Sequence, residues 1–481
     1  MRPVNILLIV ADDMGYGDFG TFGDGGPRTP TLDALVDEGV CLTQHYSGSP
    51  VCSPARAALL TGRYPHRTGA ITPQEMLGLD RIATRETTLG DAFRHAGYAT
   101  GLIGKWHNGA LDPRFHPNAR GFDEFVGFRG GWMDYWDWWI ERNGQMETSD
   151  GRYLTDVFTD AGIDFLRRHG GGGNQRPFLL SMMYNAPHSP LQAPDDVVRP
   201  YLDRRIRPGA AITYAMNEVM DRGIARMLEE LDRLGIRDDT LVMFTSDNGP
   251  AMGLRADQVP DGVSTDVSRG NAGWRGQKGS VYEGGIRVPM ILRWPGGLEA
   301  GRTVDDLVHF TDWLPTLLGV AGAANPGELP LDGGDVLPLL RGERPQEVPR
   351  RFWQWNRYSP MLTANAAMRD GPWKLVRPQL ESRPATAAAE AAMAAYVDRD
   401  IEYKYHPERV TGLLPADDPE QIFDPPPAAE LYHIEDDPEE AHDLAPGDPD
   451  RVSRMLSELE TWFETVEVDR RQVATQNLSD G

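Results

Sequence analysis

The sequence predicts an α/β fold. The expected architecture is a large, mostly parallel sheet sandwiched by helices, followed by a smaller C-terminal α+β domain on a short antiparallel sheet. Three observations carry this expectation. Apolar, β-branched runs alternate with helix-period segments from residue 4 to residue 294. Those runs are apolar on both faces, as strands covered by helices on both sides must be. A Pro/Gly-rich stretch at 322–350 then ends the alternation, and shorter strand patterns come after it. The implied division is a first domain over 1–345 and a second over 346–481.

"VNILLIV" (4–10) is the first strand; its short apolar run ends in Asp12-Asp13 with no small-residue cleavage site, unlike a secretory leader. "TPTLDALVDEG" (29–39) is a helix with Thr29 as cap, Pro30 in its first position and Gly39 at the stop. A helix over 87–97 closes on glycine and leads into the strand "YATGLIG" (98–104). The segment 153–170 is a helix ending in a glycine run, and "PFLLSMMY" (177–184) is the next strand. A long amphipathic helix covers 210–235, with further strands at 240–246 and 288–294. Beyond the linker, "RFWQWN", "AAMRDGPWKLVRP" and "AELYHIEDD" suit short antiparallel strands, and 450–466 suits a final helix. The Ala-rich 384–397 is expected to be an inserted helix without a chemical role. No internal repeat is present.

Composition excludes several functions. The 48 basic and 72 acidic residues leave a net charge of −24, which disfavours nucleic acid and anionic membrane as partners. No apolar run approaches the ~20 residues of a membrane span. Two cysteines, Cys41 and Cys52, cannot build a disulfide framework. The expected location is the cytoplasm, or the periplasm or exterior if a leader has been removed. Oligomeric state is not legible.

Ligands of open α/β sheets sit beyond the carboxyl ends of the strands. Asp12-Asp13 follow the first strand, Lys105-Trp106-His107 follow 98–104, "NAPHSP" with His188 follows 177–184, and Asp247-Asn248-Gly249 follow 240–246. Any one of these has an ordinary reading as a cap, turn or structural histidine. Together, three carboxylates and an amide oxygen form a hard-oxygen set suited to Ca²⁺ or Mg²⁺, with imidazoles and lysines left for acid, base or anion-binding work.

Cys52 opens "CSPARAALLTG", where Ser53 suits a helix cap and Pro54 the first helical position. That places Cys52 at the positive end of a helix. A soft thiolate matches a hard-oxygen metal site poorly. An aldehyde made from it, once hydrated, would offer oxygens to the metal and a nucleophile to a substrate.

"CSPAR" followed by "AALLTGRYPHRTG" resembles the signature of the type I sulfatases, the formylglycine-dependent, arylsulfatase-like family with an alkaline phosphatase-like fold. "NILLIVADDMGYGDFG", "GKWHNG", "NAPHSPLQAP", "TSDNGP", "GQKGSVYEGGIRVPMILRWPG", "TDWLPTLLGVAG", "MRDGPWKLVRP" and "ELYHIEDDPEEAHDLA" resemble further blocks of that family in its order. The resemblance implies a sulfuric ester hydrolase in which a formylglycine-generating enzyme converts Cys52 to Cα-formylglycine. Its gem-diol would attack sulfur, form a covalent sulfo-enzyme and release sulfate by collapse to the aldehyde. Asp12, Asp13, Asp247, Asn248 and position 52 would hold the cation, with Ca²⁺ first and Mg²⁺ or Mn²⁺ second. By the same resemblance Asp247 would receive the proton of the attacking hydroxyl. Lys278 and His188 would contact the sulfate and protonate the leaving oxygen. His107 would take the second proton, and Arg56 and Lys105 would supply fixed positive charge.

Glu283 and Arg287 are expected to brace their loop, and His45 and His66 to be structural; His309 is unassigned. In "RGGWMDYWDWWIERNG" (129–144), four tryptophans and a tyrosine lie within eight residues, either as a packed flap or as an aromatic wall against an aryl group or a sugar. The resemblance implies a small sulfate monoester, aryl or carbohydrate, as the substrate. Two rivals are a phosphonate monoester or phosphodiester hydrolase of the same superfamily, and a non-catalytic anion-binding protein that keeps its thiol.

Overall fold

The strand Asn5–Ala11 lies near the centre of a ten-stranded sheet. Its neighbours Thr240–Ser246 and Phe178–Met183 run parallel to it, and Ala99–Lys105 and Glu124–Phe128 continue the parallel block. On one side Met290–Arg293 pairs antiparallel with Thr240–Ser246 and with Val40–Leu42, which leads to the edge strand Arg302–Val304. On the other side the hairpin of Trp139–Arg142 and Gln145–Thr148 adds two antiparallel strands. The predicted α/β sheet is therefore present, parallel at its centre and mixed at its edges. The computed structural model describes residues 3–23, 25–171, 176–343, 349–415 and 418–479.

The two-faced apolarity of the strands has a direct consequence. Along the first strand Leu7, Ile9 and Ala11 enter one core, while Ile6, Leu8 and Val10 enter the other. The first core takes Val157, Phe158 and Phe165 of the helix Leu154–Gly170, and Met216, Met220 and Met227 of the helix Pro208–Arg233. The second takes Ala55, Leu59 and Leu60 of the helix Cys52–Thr61, with Trp313, Leu314 and Leu317 of the helix Trp313–Ala321. Each such buried aliphatic or aromatic side chain contributes about 1.5–3 kcal/mol.

Caps differ in detail from expectation. Thr29 occupies the cap position of Pro30–Glu38 but makes no capping bond. The free N–H groups of Thr31 and Leu32 donate instead to the Asp221 carboxylate on the long helix. Leu89–His95 is capped by Thr88, whose Oγ1 accepts from Asp91 N. Among the described residues no helix is long and apolar enough to cross a membrane.

The C-terminal sheet orders Arg351–Gln354, Ala366–Asp370, Trp373–Arg377 and Glu430–His433, all antiparallel. The closing helix runs over Pro449–Ser479, well past the expected 466. It lays Met455, Leu459, Trp462 and Val466 on Met368 and Leu375 of the sheet. This layer is tied to the large sheet by buried polar contacts. Lys374 Nζ lies 2.8 Å from Glu283 Oε1 and 2.9 Å from Glu440 Oε1, and Trp353 Nε1 donates to Ser47 O at 2.7 Å. The domain boundary expected at residue 345 lies outside the described residues.

Candidate active site

The helix that carries Cys52 begins at the cysteine itself, two residues earlier than expected. Ser53 is not its cap; its Oγ donates to Asp80 O at 3.1 Å. Pro54 falls in the third helical position, where its missing N–H would have had no intrahelical partner anyway. Cys52 is buried and unbonded to the equally buried Cys41. Burial raises its pKa, but Lys105, Lys278 and His107 together bring the thiol down to about 6.

Asp12 and Asp13 follow the central strand, where alternation would send them to opposite faces. Asp13 instead has a left-handed backbone, φ 67°, a conformation that costs a non-glycine residue energy and marks functional turns. Oxygens of Asp12, Asp13 and Asp247 lie within 4.8 Å of one another, and a second group joins Asp12, Cys52 and His188. Bases surround these acids. Lys105 Nζ donates to Asp12 Oδ2 at 2.7 Å, Lys278 Nζ to Asp13 Oδ2 at 2.8 Å, and Arg56 Nε to Asp247 Oδ2 at 2.9 Å. Asn248 Nδ2 donates to Asp13 Oδ1 at 2.7 Å. Gly104, just before Lys105, has φ 111°, and a Cβ there would sit 1.9 Å from Met183 O. Only glycine lets the strand end deliver Lys105 to this position.

The donor set fits a divalent cation. Asp12 Oδ1 and Asn248 Oδ1 are buried and accept no hydrogen bond, a costly arrangement unless something positive occupies the space between them. Burial and the nearby Asp247 push the Asp12 carboxyl well above the usual carboxylate range. At Asp13 burial also opposes ionisation, but Lys278 and His188 outweigh it and hold that group ionised. The ligands are oxygens, which suits a hard cation. Arg56, Lys105 and Lys278 already offset the three carboxylates, so a dication leaves the cavity with excess positive charge, the condition for binding an anion.

Two histidines face the same space. His188 Nδ1 is 2.7 Å from Ser189 O, so that nitrogen carries the proton, and Nε2 lies 3.7 Å from Asp13 Oδ2. His107 also has a left-handed backbone, φ 55°. Its Nε2 is 3.0 Å from Pro73 O and 3.6 Å from Glu75 Oε2, while Nδ1 is buried without a hydrogen bond. Burial and Lys105 disfavour its charged form, yet the thiolate of an unconverted Cys52, with Glu75, raises its pKa to about 9, and the Cys52 part of that shift is absent once position 52 carries no thiolate. Of the residues expected from sequence, Cys52, His107, His188 and Lys278 line one cavity, and Asp12, Asp13, Asp247, Asn248, Arg56 and Lys105 join them through the contacts above. Glu283 and Arg287 pair at 3.3 Å as a brace. His45 lies between Val288 O and Trp313 Nε1, His66 bonds Gln354, and His309 bonds Thr311.

The cavity above Cys52 measures about 320 Å³. Gln74, Glu75, Trp132, Gln258, Gln277, Arg255, Trp355, Arg357, Tyr396 and Asp400 form its wall. Several of these escape sequence reasoning, and one expectation is overturned. The Ala-rich insert forms the helix Ala387–Tyr405, and Tyr396 and Asp400 on it line the cavity. A spacing of four between Tyr396, Asp400 and Lys404 puts all three on one helix face, a signal the alanines obscured. The Trp-rich segment is mainly a packed flap. Tyr135, Trp138 and Trp139 are buried in the core, and Tyr135 Oη braces the His188 loop through Asn185 O and His188 O. Trp132 alone of that segment's tryptophans lines the cavity.

Comparison with known proteins gives concordant results. The sulfatase family model matches residues 4–323, and the model of the N-sulphoglucosamine sulphohydrolase C-terminal region matches residues 270–382. The N-acetylgalactosamine-6-sulfatase of Canis lupus familiaris is 35% identical over 384 residues, covering 73% of this chain and 69% of that protein. The steryl-sulfatase of Mus musculus is 34% identical over 430 residues, covering 71% and 66%. Among solved structures, Ps i-CgsB in complex with k-i-k-neocarrahexaose superposes with a TM-score of 0.76 at 27% identity, covering 98% of each chain. The phosphonate monoester hydrolase of Agrobacterium radiobacter shares the fold, with a TM-score of 0.61 at 21% identity over 98% of this chain and 96% of that one.

Proposed function

The chain belongs to the sulfatase family, and from that membership we propose that it hydrolyses carbohydrate sulfate monoesters with position 52 as the nucleophile-bearing residue. The observation that carries the reading is the convergence of Asp12, Asp13 and Asp247 with Cys52 among the bases Arg56, Lys105 and Lys278. Conversion of Cys52 to formylglycine by a formylglycine-generating enzyme would supply an oxygen nucleophile and a route for releasing sulfate. Asp12, Asp13, Asp247 and Asn248, with position 52, would hold Ca²⁺, or Mg²⁺ or Mn²⁺ as second choices; when bound, the ion lowers the pKa of an oxygen nucleophile.

The remaining steps belong to the chain's own side chains. Asp247, held by Arg56, takes the first proton released at position 52. Lys278, on the cavity wall with His188, offsets the charge of the sulfate and delivers a proton to the leaving oxygen. His107 presents Nδ1, since its Nε2 faces Pro73 O, and takes the second proton. Lys105 and Arg56 are fixed and buried, so their charges act without reorganisation as negative charge builds in the transition state.

A sugar suits the cavity better than a plain aryl group. Beyond the bases its wall carries the amides of Gln74, Gln258 and Gln277 and the charged ends of Arg255, Arg357 and Asp400, between Trp132 and Trp355. Hydroxyls satisfy such groups and tryptophan faces cover sugar rings. The relatives named above include one named for a sulfated sugar and one solved with a neocarrahexaose bound.

The decisive experiment is the mass of the peptide containing Cys52, joined to a substrate panel. An aldehyde or its hydrate in place of the thiol, with turnover of sulfated sugars, supports the reading. An intact thiol in active enzyme, or faster turnover of a phosphodiester, overturns it.

A further inference from the structure

Behind His107 lies a buried file of charged groups that the proposed reaction does not use. Glu75 is 3% exposed and reaches His107 Nε2 with one oxygen at 3.6 Å. Its other oxygen accepts from Gly131 N at 2.7 Å and from Lys404 Nζ at 2.5 Å. Tyr396 Oη donates to Glu75 Oε2 at 3.2 Å. Lys404 is 1% exposed and also lies 3.2 Å from Asp400 Oδ1. Asp400 in turn accepts from Trp132 Nε1 at 2.9 Å. Lys404 therefore ties the inserted helix, which carries the cavity-lining Tyr396 and Asp400, to the carboxylate beside His107.

We infer that Glu75 and Lys404 are positioning residues for His107. The inference rests on the reading of His107 as the proton acceptor at position 52. Three features of the geometry support it. The His107 backbone is left-handed, a strained conformation that its surroundings must hold in place. Pro73 O and Glu75 both stand on the Nε2 side, which leaves Nδ1 bare. The bond from Nε2 to Pro73 O fixes the tautomer, and the Glu75 carboxylate, 3.6 Å from the same nitrogen, attracts the ring electrostatically on that side. Lys404 keeps that carboxylate ionised: burial opposes ionisation, yet Lys404 and His107 together hold Glu75 well below the usual carboxylate range.

The test uses the full-length, cation-loaded enzyme and three variants, Glu75→Gln, Lys404→Met and the double variant. Rates are taken per formylglycine-bearing molecule, on whichever ester the wild type hydrolyses fastest. Loss of such supporting groups costs about 10–100-fold in activity; here the loss is expected in kcat, with KM little changed. Lys404→Met leaves the buried carboxylates of Glu75 and Asp400 without their shared cation and lowers Tm, whereas the double variant removes one of those two carboxylates. Positioning predicts that the double variant regains part of the Tm lost in Lys404→Met but stays slow. Recovery of kcat along with Tm, or unchanged kcat in both single variants, overturns the inference. Histidine-selective ¹⁵N NMR gives a readout independent of turnover. The His107 ring resonances should change in Glu75→Gln, and unchanged resonances also overturn it. A wild type that prefers a phosphodiester would sink the sulfate reading and leave these variant ratios to decide the role of Glu75 and Lys404.

Discussion

Cys52 concentrates the chemistry of this chain. It stands at the N-terminus of a helix, beside two lysines and a histidine, against a cluster of oxygens that a thiolate would ligate poorly. Serine at this position would keep an oxygen nucleophile but lose the second hydroxyl needed to expel sulfate. Cys52→Ser is therefore expected to give one burst of alcohol release, equal to the enzyme concentration, and then stall as a stable sulfate ester. A stopped assay with mass detection checks this, and sustained turnover would contradict the expulsion step. Lys105 is fully buried on Asp12 and 2.7 Å from its carboxylate. Lys105→Met should lower kcat by about 10²–10³, the usual cost of losing one preorganised charge. Steady-state kinetics at saturating cation measure it; a loss under tenfold would remove Lys105 from the electrostatic role.

At the scale of elements, the site depends on how strands end. The strand Ala99–Lys105 passes close to its neighbour at Gly104, where a side chain would meet Met183 O at 1.9 Å. The positive φ adds strain for any L-residue. Gly104→Ala should destabilise the fold by about 3 kcal/mol or more, in the upper range for single substitutions, and displace Lys105. Urea denaturation gives the first quantity, and an unchanged midpoint would show that the strands can separate at no cost. The inserted helix Ala387–Tyr405 behaves differently. Its alanines make it a good helix by propensity, yet its position is set by Lys404 and by Trp139 Nε1, which donates to Lys404 O at 2.8 Å. Local sequence accounts for the helix, and distant partners account for its place over the cavity.

For the whole molecule, the union of the two sheets rests partly on the buried trio Lys374, Glu283 and Glu440. Burial, with Glu283 adding to it, pushes Glu440 up to about 7 although Lys374 opposes the shift. The folded state thus holds a proton on Glu440 that the unfolded chain has lost by pH 5. This contribution is complete below the ordinary value of 4.5 and is lost as pH rises through about 7. Glu440→Gln should therefore flatten the decline in Tm between pH 5 and pH 8 relative to the wild type. Thermal scans across that range decide it; parallel wild-type and variant curves would show that Glu440 does not titrate there.

The strand ends and the residues just beyond them were legible because they depend on local pattern. Where an apolar β-branched run stops, the next residues along the chain must lie at the sheet edge. Asp12, Asp13, Lys105, His107, His188, Asp247 and Asn248 were all found by that rule, and Cys52 by its helix-start context. Glu75, Asp400 and Lys404 were not, since nothing near Glu75 signals a lysine 329 positions away. The chain's own order thus determined the α/β alternation, the edge at which chemistry gathers and the unusual cysteine. Tertiary packing alone decided which distant side chains wall the cavity and brace His107, because a buried ion pair forms between residues whose separation along the chain carries no periodic signal.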